Sequence, residues 1–150
     1  MKNIKLIIVF LLGILAQNAI AQQPKDSKGH IINAKGQIYF DGVKMGFISK
    51  DSLIKNNNGK TIAFVKSDGS LEDANGKSMG RVNKSTGIYY NENGAVVLST
   101  KNNTDSETCN VLDANGKKIG NVHNSYKGVA CALHCFQNKM DMQTHSKIKK

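Results

Sequence analysis

Short apolar clusters and Asx-Gly pairs alternate along most of this chain. Asp41-Gly42, Asn58-Gly59, Asn75-Gly76, Asn93-Gly94 and Asn115-Gly116 follow one another at spacings of 17, 17, 18 and 22 residues. After four of the glycines, the third and sixth residues are aliphatic or Met: Met45 and Ile48, Ile62 and Val65, Met79 and Val82, Ile119 and Val122. In the remaining unit Val96-Val97-Leu98 takes the place. Ahead of the pairs lie Ile38, Leu53-Ile54, Leu71, Ile88-Tyr89 and Val111. Asx-Gly favours the positive φ angles of a two-residue type I′ turn, so each unit is expected to be a β-hairpin with its tip at the Asx-Gly pair.

The fourth position after the glycine is small in most units: Gly46, Ala63, Gly80 and Gly120. An odd separation puts the two flanking apolar residues on opposite faces of a flat strand. The small residue therefore marks a bulge, bend or close backbone approach. An isolated hairpin this short is marginal in water, so the units must bury their apolar sides together or against a shared axis. No stretch after the first 21 residues has helical periodicity, which predicts an all-β domain over residues 30–136. Its most continuous apolar run, Gly128 to Phe136, is expected to close the domain. Periodicity alone leaves it open whether that run is strand or helix.

The first 21 residues have a different pattern. Lys2 and Lys5 precede an apolar stretch from Leu6 to Ala16, followed by Ala19-Ile20-Ala21. These are the three regions of a secretory signal peptide, with cleavage before Gln22 and a secreted or periplasmic destination. The apolar stretch is too short for a membrane span, which needs roughly 20 residues. Residues 22–29 read as a disordered lead-in and residues 137–150 as a basic flexible tail.

Charge narrows the picture less than pattern does. Loss of Lys2 and Lys5, with no acidic residue beside them, lowers the formal charge from +10 to +8. That balance permits contact with envelope polysaccharide or another anionic surface. Its carriers after the signal are lysines spread through every unit plus the single Arg81, whereas specific nucleic-acid recognition favours arginine forks and clustered patches. A solvated surface that keeps β-edges apart is the simpler reading.

A resemblance follows from the order of these parts. A signal peptide, serial units such as Val65 to Val82, and Tyr126-Lys127-Gly128-Val129 leading into an apolar terminus resemble the five-fold beta-flower family of exported bacterial proteins, over about residues 30–136. The resemblance implies hairpins arranged about a pseudo-five-fold axis, with no activity, catalytic residue or cofactor to carry over. Three features depart from the family pattern: the insert Lys101 to Thr108, the cysteine-bearing closing segment and the basic tail.

Candidate chemistry is sparse. Cys109, His123, Cys131, His134 and Cys135 are ligand types that suit zinc, but their spacing lacks the paired short turns of a structural zinc site. In an oxidising compartment the simplest arithmetic is one disulfide and one free thiol. If the closing run is a strand, Cys131 and Cys135 sit about 13 Å apart along it, beyond the reach of a bridge. A thiol nucleophile would need a lowered pKa and an oriented histidine beside it. The aspartates fall at turns, where Asx side chains bond nearby backbone. Tyr39, Tyr89, Tyr90 and Tyr126 are candidates for sugar stacking or interface contact, against a simpler role in packing. The leading expectation is thus a non-enzymatic exported scaffold or binding module without a cofactor, recognising envelope glycan or a protein partner. A small thiol- or histidine-dependent hydrolase, or a zinc-binding protein, is the alternative.

Overall fold

The computed structural model describes residues 29–104 and 106–137. The segment expected to be a signal peptide, all of the expected lead-in but Gly29, and the expected tail beyond Gln137 lie outside the described residues. The rest is an all-β closed barrel of eleven strands: β1 (His30–Ile32), β2 (Gln37–Phe40), β3 (Val43–Ile48), β4 (Leu53–Asn56), β5 (Thr61–Val65), β6 (Ser70–Asp73), β7 (Ser78–Asn83), β8 (Ile88–Tyr90), β9 (Val96–Asn102), β10 (Thr108–Asp113) and β11 (Lys118–His123). Each strand pairs antiparallel with the next. The ring shuts where β1 lies parallel to β11, with His30 opposite Gly120 and Ile32 opposite Val122. Parallel closure follows from the odd strand number, because the first and last strands of an up-and-down meander then run the same way. Closure also removes every sheet edge.

The Asx-Gly pairs connect β2–β3, β4–β5, β6–β7, β8–β9 and β10–β11. Strand alternation therefore places all five at one mouth of the barrel. Their geometry corrects the turn type expected from the dipeptide. Only Asp41-Gly42 has positive φ at both residues, 46° and 81°. At the other four, only the glycine is positive, and the turn begins two residues before the Asn. In the β6–β7 turn the Gly76 N–H donates to the Asp73 carbonyl at 3.0 Å and the Asp73 N–H to the Lys77 carbonyl at 2.9 Å. The Asp73 carboxylate also accepts from Asn75 N and Lys77 N. Asn56, Asn91 and Asp113 do the same two and four residues ahead. These are three-residue loops with a glycine bulge. The Asx that starts the turn supplies the side-chain acceptor, which makes a second positive φ unnecessary.

The small residue marks a bulge, as expected. In all five hairpins the register slips at the same offset, leaving Met45, Ile62, Met79, Val97 and Ile119 unpaired between two paired neighbours. The residue just after each bulge faces Ile38, Ile54, Leu71, Tyr89 or Val111 across the hairpin. Those five are all 0–1 % exposed and form the central layer of the core. Ile48, Val65, Val82 and Val122 form a second buried layer.

The closing run is helical. After β11 the chain makes a 3₁₀ segment, Asn124–Val129, followed by an α-helix α1 over residues 132–137. The 3₁₀ segment lies at the mouth opposite the Asx-Gly turns: Tyr126 sits against Gly36 of the β1–β2 turn, and Lys127 against Gly87 of the β7–β8 turn. From there Ala130, Cys131, Ala132 and Leu133, all 0 % exposed, continue into the barrel. Phe136 reaches Phe40 edge-on at 6.4 Å between ring centroids. An eleven-strand ring is too wide for its own inward side chains to fill, and this apolar helix occupies the remaining space.

Candidate functional site

Hairpin tips and the end of α1 together frame a cavity of about 630 Å³ at the Asx-Gly mouth. Lys60, Asp73, Asn75, Lys77, Asn91, Glu92 and Asn93 form its polar rim. Below them lie Ile62, Met79, Tyr89, His134 and Cys135. Two of these, Ile62 and Met79, are bulge residues. A bulge re-aims a side chain that regular alternation would place elsewhere, and here it supplies part of the cavity wall. The rim is electrically balanced, with two lysines and two carboxylates, so the cavity favours neutral or zwitterionic polar ligands over phosphates.

Tyr89 is the hub of the floor. It is 1 % exposed, its hydroxyl donates to the Met79 carbonyl at 2.5 Å, and its ring lies 5.3 Å from the His134 ring. Burial, with Cys135, Cys131 and Glu92 nearby, holds its phenol protonated well above the ordinary tyrosine range. The expectation of Tyr89 as a surface recognition residue is therefore corrected, because its face is covered by the core. Its neighbour Tyr90 points outward, half-buried, with the Arg81 guanidinium 5.6 Å from its ring centroid. Tyr39 also lies on the outer wall, where its hydroxyl donates to Gln37 Oε1 at 3.2 Å. Neither belongs to the cavity. Tyr126 is committed to the opposite mouth.

Nor do the five cysteine and histidine candidates converge. Cys109 is buried in β10, its thiol within reach of Asn124 Oδ1 at 3.0 Å and Asn102 Oδ1 at 3.2 Å. His123 accepts from Ser125 N at Nδ1 and has Glu107 3.7 Å from Nε2. Among the described residues, no three His, Cys, Asp or Glu side chains are grouped to hold a metal ion. All three thiols are buried and unpaired, which corrects the expectation of one disulfide. The helix places Cys131 and Cys135 one turn apart, with the Cys135 N–H donating to the Cys131 carbonyl at 3.2 Å, instead of far apart along a strand. Burial pushes the Cys135 thiol up to about 12 and Cys131 well above its ordinary value. Neither is a ready thiolate nucleophile at neutral pH.

Among the cavity residues absent from the sequence expectation of a site are Met79, Ile62, Asp73, Asn91, Glu92, Lys60 and Lys77. One sequence signal pointed to the first two: the apolar residue three places after the turn glycine, beside the small residue that marks the bulge. No protein-family model, curated protein or solved structure matches this chain.

Proposed function

We propose that this chain is an exported, non-enzymatic scaffold or binding module. In this reading its five hairpins stand about a pseudo-five-fold axis, as in the five-fold beta-flower proteins it resembles. Its recognition surface is the Asx-Gly mouth, and its ligand class is the cell-envelope glycan, ahead of a protein partner. The cavity of about 630 Å³ carries the reading, since it joins an amide- and carboxylate-bearing rim to an apolar floor. Asn75, Asn91 and Asn93 offer side-chain amides for hydroxyl groups, and Ile62 and Met79 offer apolar area for a sugar's C–H face. High thiol pKa values at Cys131 and Cys135 weigh against the hydrolase alternative.

The test is co-sedimentation of the purified mature chain with insoluble peptidoglycan, alongside an Asn75→Arg variant. Asn75 is exposed at a hairpin tip, so a long cationic side chain there obstructs the mouth without entering the core. Saturable binding by the parent chain and its loss in N75R support the reading. Binding unchanged by N75R, or no binding to the polymer, overturns the glycan assignment and turns the search to protein partners.

A further inference from the structure

Three residues with soft or borderline donors are among those lining the mouth cavity: Met79 with its thioether, His134 with its imidazole and Cys135 with its thiol. They come from separate parts of the fold. Met79 faces the cavity through the bulge between Ser78 and Gly80, whereas His134 and Cys135 arrive on α1 from the opposite mouth. Tyr89 touches two of them: its hydroxyl bonds the Met79 backbone carbonyl at 2.5 Å, and its ring lies 5.3 Å from that of His134. Such a group is invisible to a zinc reading, because one of its members is a methionine.

We propose that Met79 Sδ, a ring nitrogen of His134 and Cys135 Sγ bind one cuprous ion at the floor of the cavity. Softness selects the metal. Thiolate and thioether sulfur favour Cu(I), which accepts few ligands, whereas zinc in proteins takes four, usually thiolate and imidazole. Charge selects it too. One thiolate with one monovalent ion is neutral, and Cys135 is only 5 % exposed, where a residual net charge is costly. The same set around a divalent ion would keep a positive charge in an apolar wall. Asp73 and Glu92 are the carboxylates of the rim, and Asp73 already accepts Asn75 N–H and Lys77 N–H.

Binding forms the sulfur–copper bond and breaks the Cys135 S–H bond, with no change of oxidation state. The proton leaves through the cavity to solvent. Coordination as the thiolate releases one proton per ion bound. Cys131 lies outside the cavity lining, one turn deeper, and Cys109 belongs to another part of the core.

The experiment is an anaerobic titration of the reduced mature chain against the coloured Cu(I) complex of bicinchoninate, with Met79→Leu, His134→Gln, Cys135→Ser and Cys109→Ser variants beside it. The parent chain should remove one Cu(I) per chain. Met79→Leu and Cys135→Ser should each weaken binding by at least about ten-fold, since losing a direct ligand costs no less than losing a group that supports one. Cys109→Ser should bind like the parent, and excess Zn(II) should not displace the copper. Met79→Leu conserves volume and decides the question even if Cys135→Ser fails to fold. No copper removed from the chelator, parent-like affinity in Met79→Leu, or displacement by zinc overturns the assignment.

Discussion

Gly46→Ala adds one methyl group at the point where β3, β4 and the plug helix come closest. A Cβ there would lie 2.0 Å from the Lys55 carbonyl oxygen, 2.7 Å from the Phe136 ring and 3.0 Å from Asn56 Cα. Gly46 lacks the positive φ of the turn glycines, so the penalty is steric and not conformational. Relief requires β4 to move away from β3, loosening the short ladder in which Gly46, Phe47 and Ile48 face Asn56, Lys55 and Ile54. It also displaces Phe136, itself 4 % exposed. Overpacking of this kind costs about 1–3 kcal/mol. Loss of one or two ladder hydrogen bonds adds about 1 kcal/mol each, for a total of about 2–5 kcal/mol. Gly76→Ala is the matched control. Gly76 has φ 78° and nothing within 4 Å of its Cβ position, so the cost there is only the left-handed backbone, about 1–2 kcal/mol. Equilibrium urea unfolding followed by far-ultraviolet circular dichroism gives both values from shifts in midpoint. A Gly46→Ala penalty equal to or below that of Gly76→Ala would refute the close approach of strand and helix.

Two further outcomes follow from the same structure. Leu133→Ala empties part of the barrel interior at a 0 % exposed position and should cost about 2–5 kcal/mol in the same urea assay. The Asp73 carboxylate is held below its ordinary value of 3.8 by the Lys77 and Asn75 backbone N–H groups, so its support of the turn is complete above that value and fades as pH falls below it. Asp73→Asn keeps an acceptor oxygen, as Asn56 and Asn91 do naturally, and should leave neutral-pH stability near that of the parent while flattening the acid limb of an unfolding-midpoint versus pH curve.

Much of the barrel wall was legible in the residues. Local backbone chemistry sets the Asx-Gly tips, and the apolar-small pair after each glycine announces the bulge. Turn type was misread because the dipeptide was weighed without the Asx that precedes it: Asp73 and Asn56 carry the side-chain acceptors that make a three-residue loop preferable. The cavity was hidden for a different reason. Met79, Tyr89 and Cys135 are distant in sequence and meet only because the closing run turns back through the ring. A run such as Ala130 to Phe136 is equally apolar as a buried strand or a buried helix, so periodicity carried no signal there. With that segment undecided, the relation of Cys131 to Cys135, the burial of Tyr89 and the separation of Cys109 and His123 from the cavity residues His134 and Cys135 were undecided as well.

The account rests on residues 130–137 lying inside a closed barrel, and thiol accessibility tests that placement most directly. The purified chain from Gln22 onward is treated, without reductant, with a bulky water-soluble aromatic disulfide, first folded and then in urea. Three buried, unpaired cysteines predict that no thiol reacts at the rate of an exposed one in the folded chain, that cavity-lining Cys135 precedes Cys131, and that all three react on unfolding. Prompt labelling of Cys131 and Cys135 in the folded chain, or only one reactive thiol after unfolding, would contradict it.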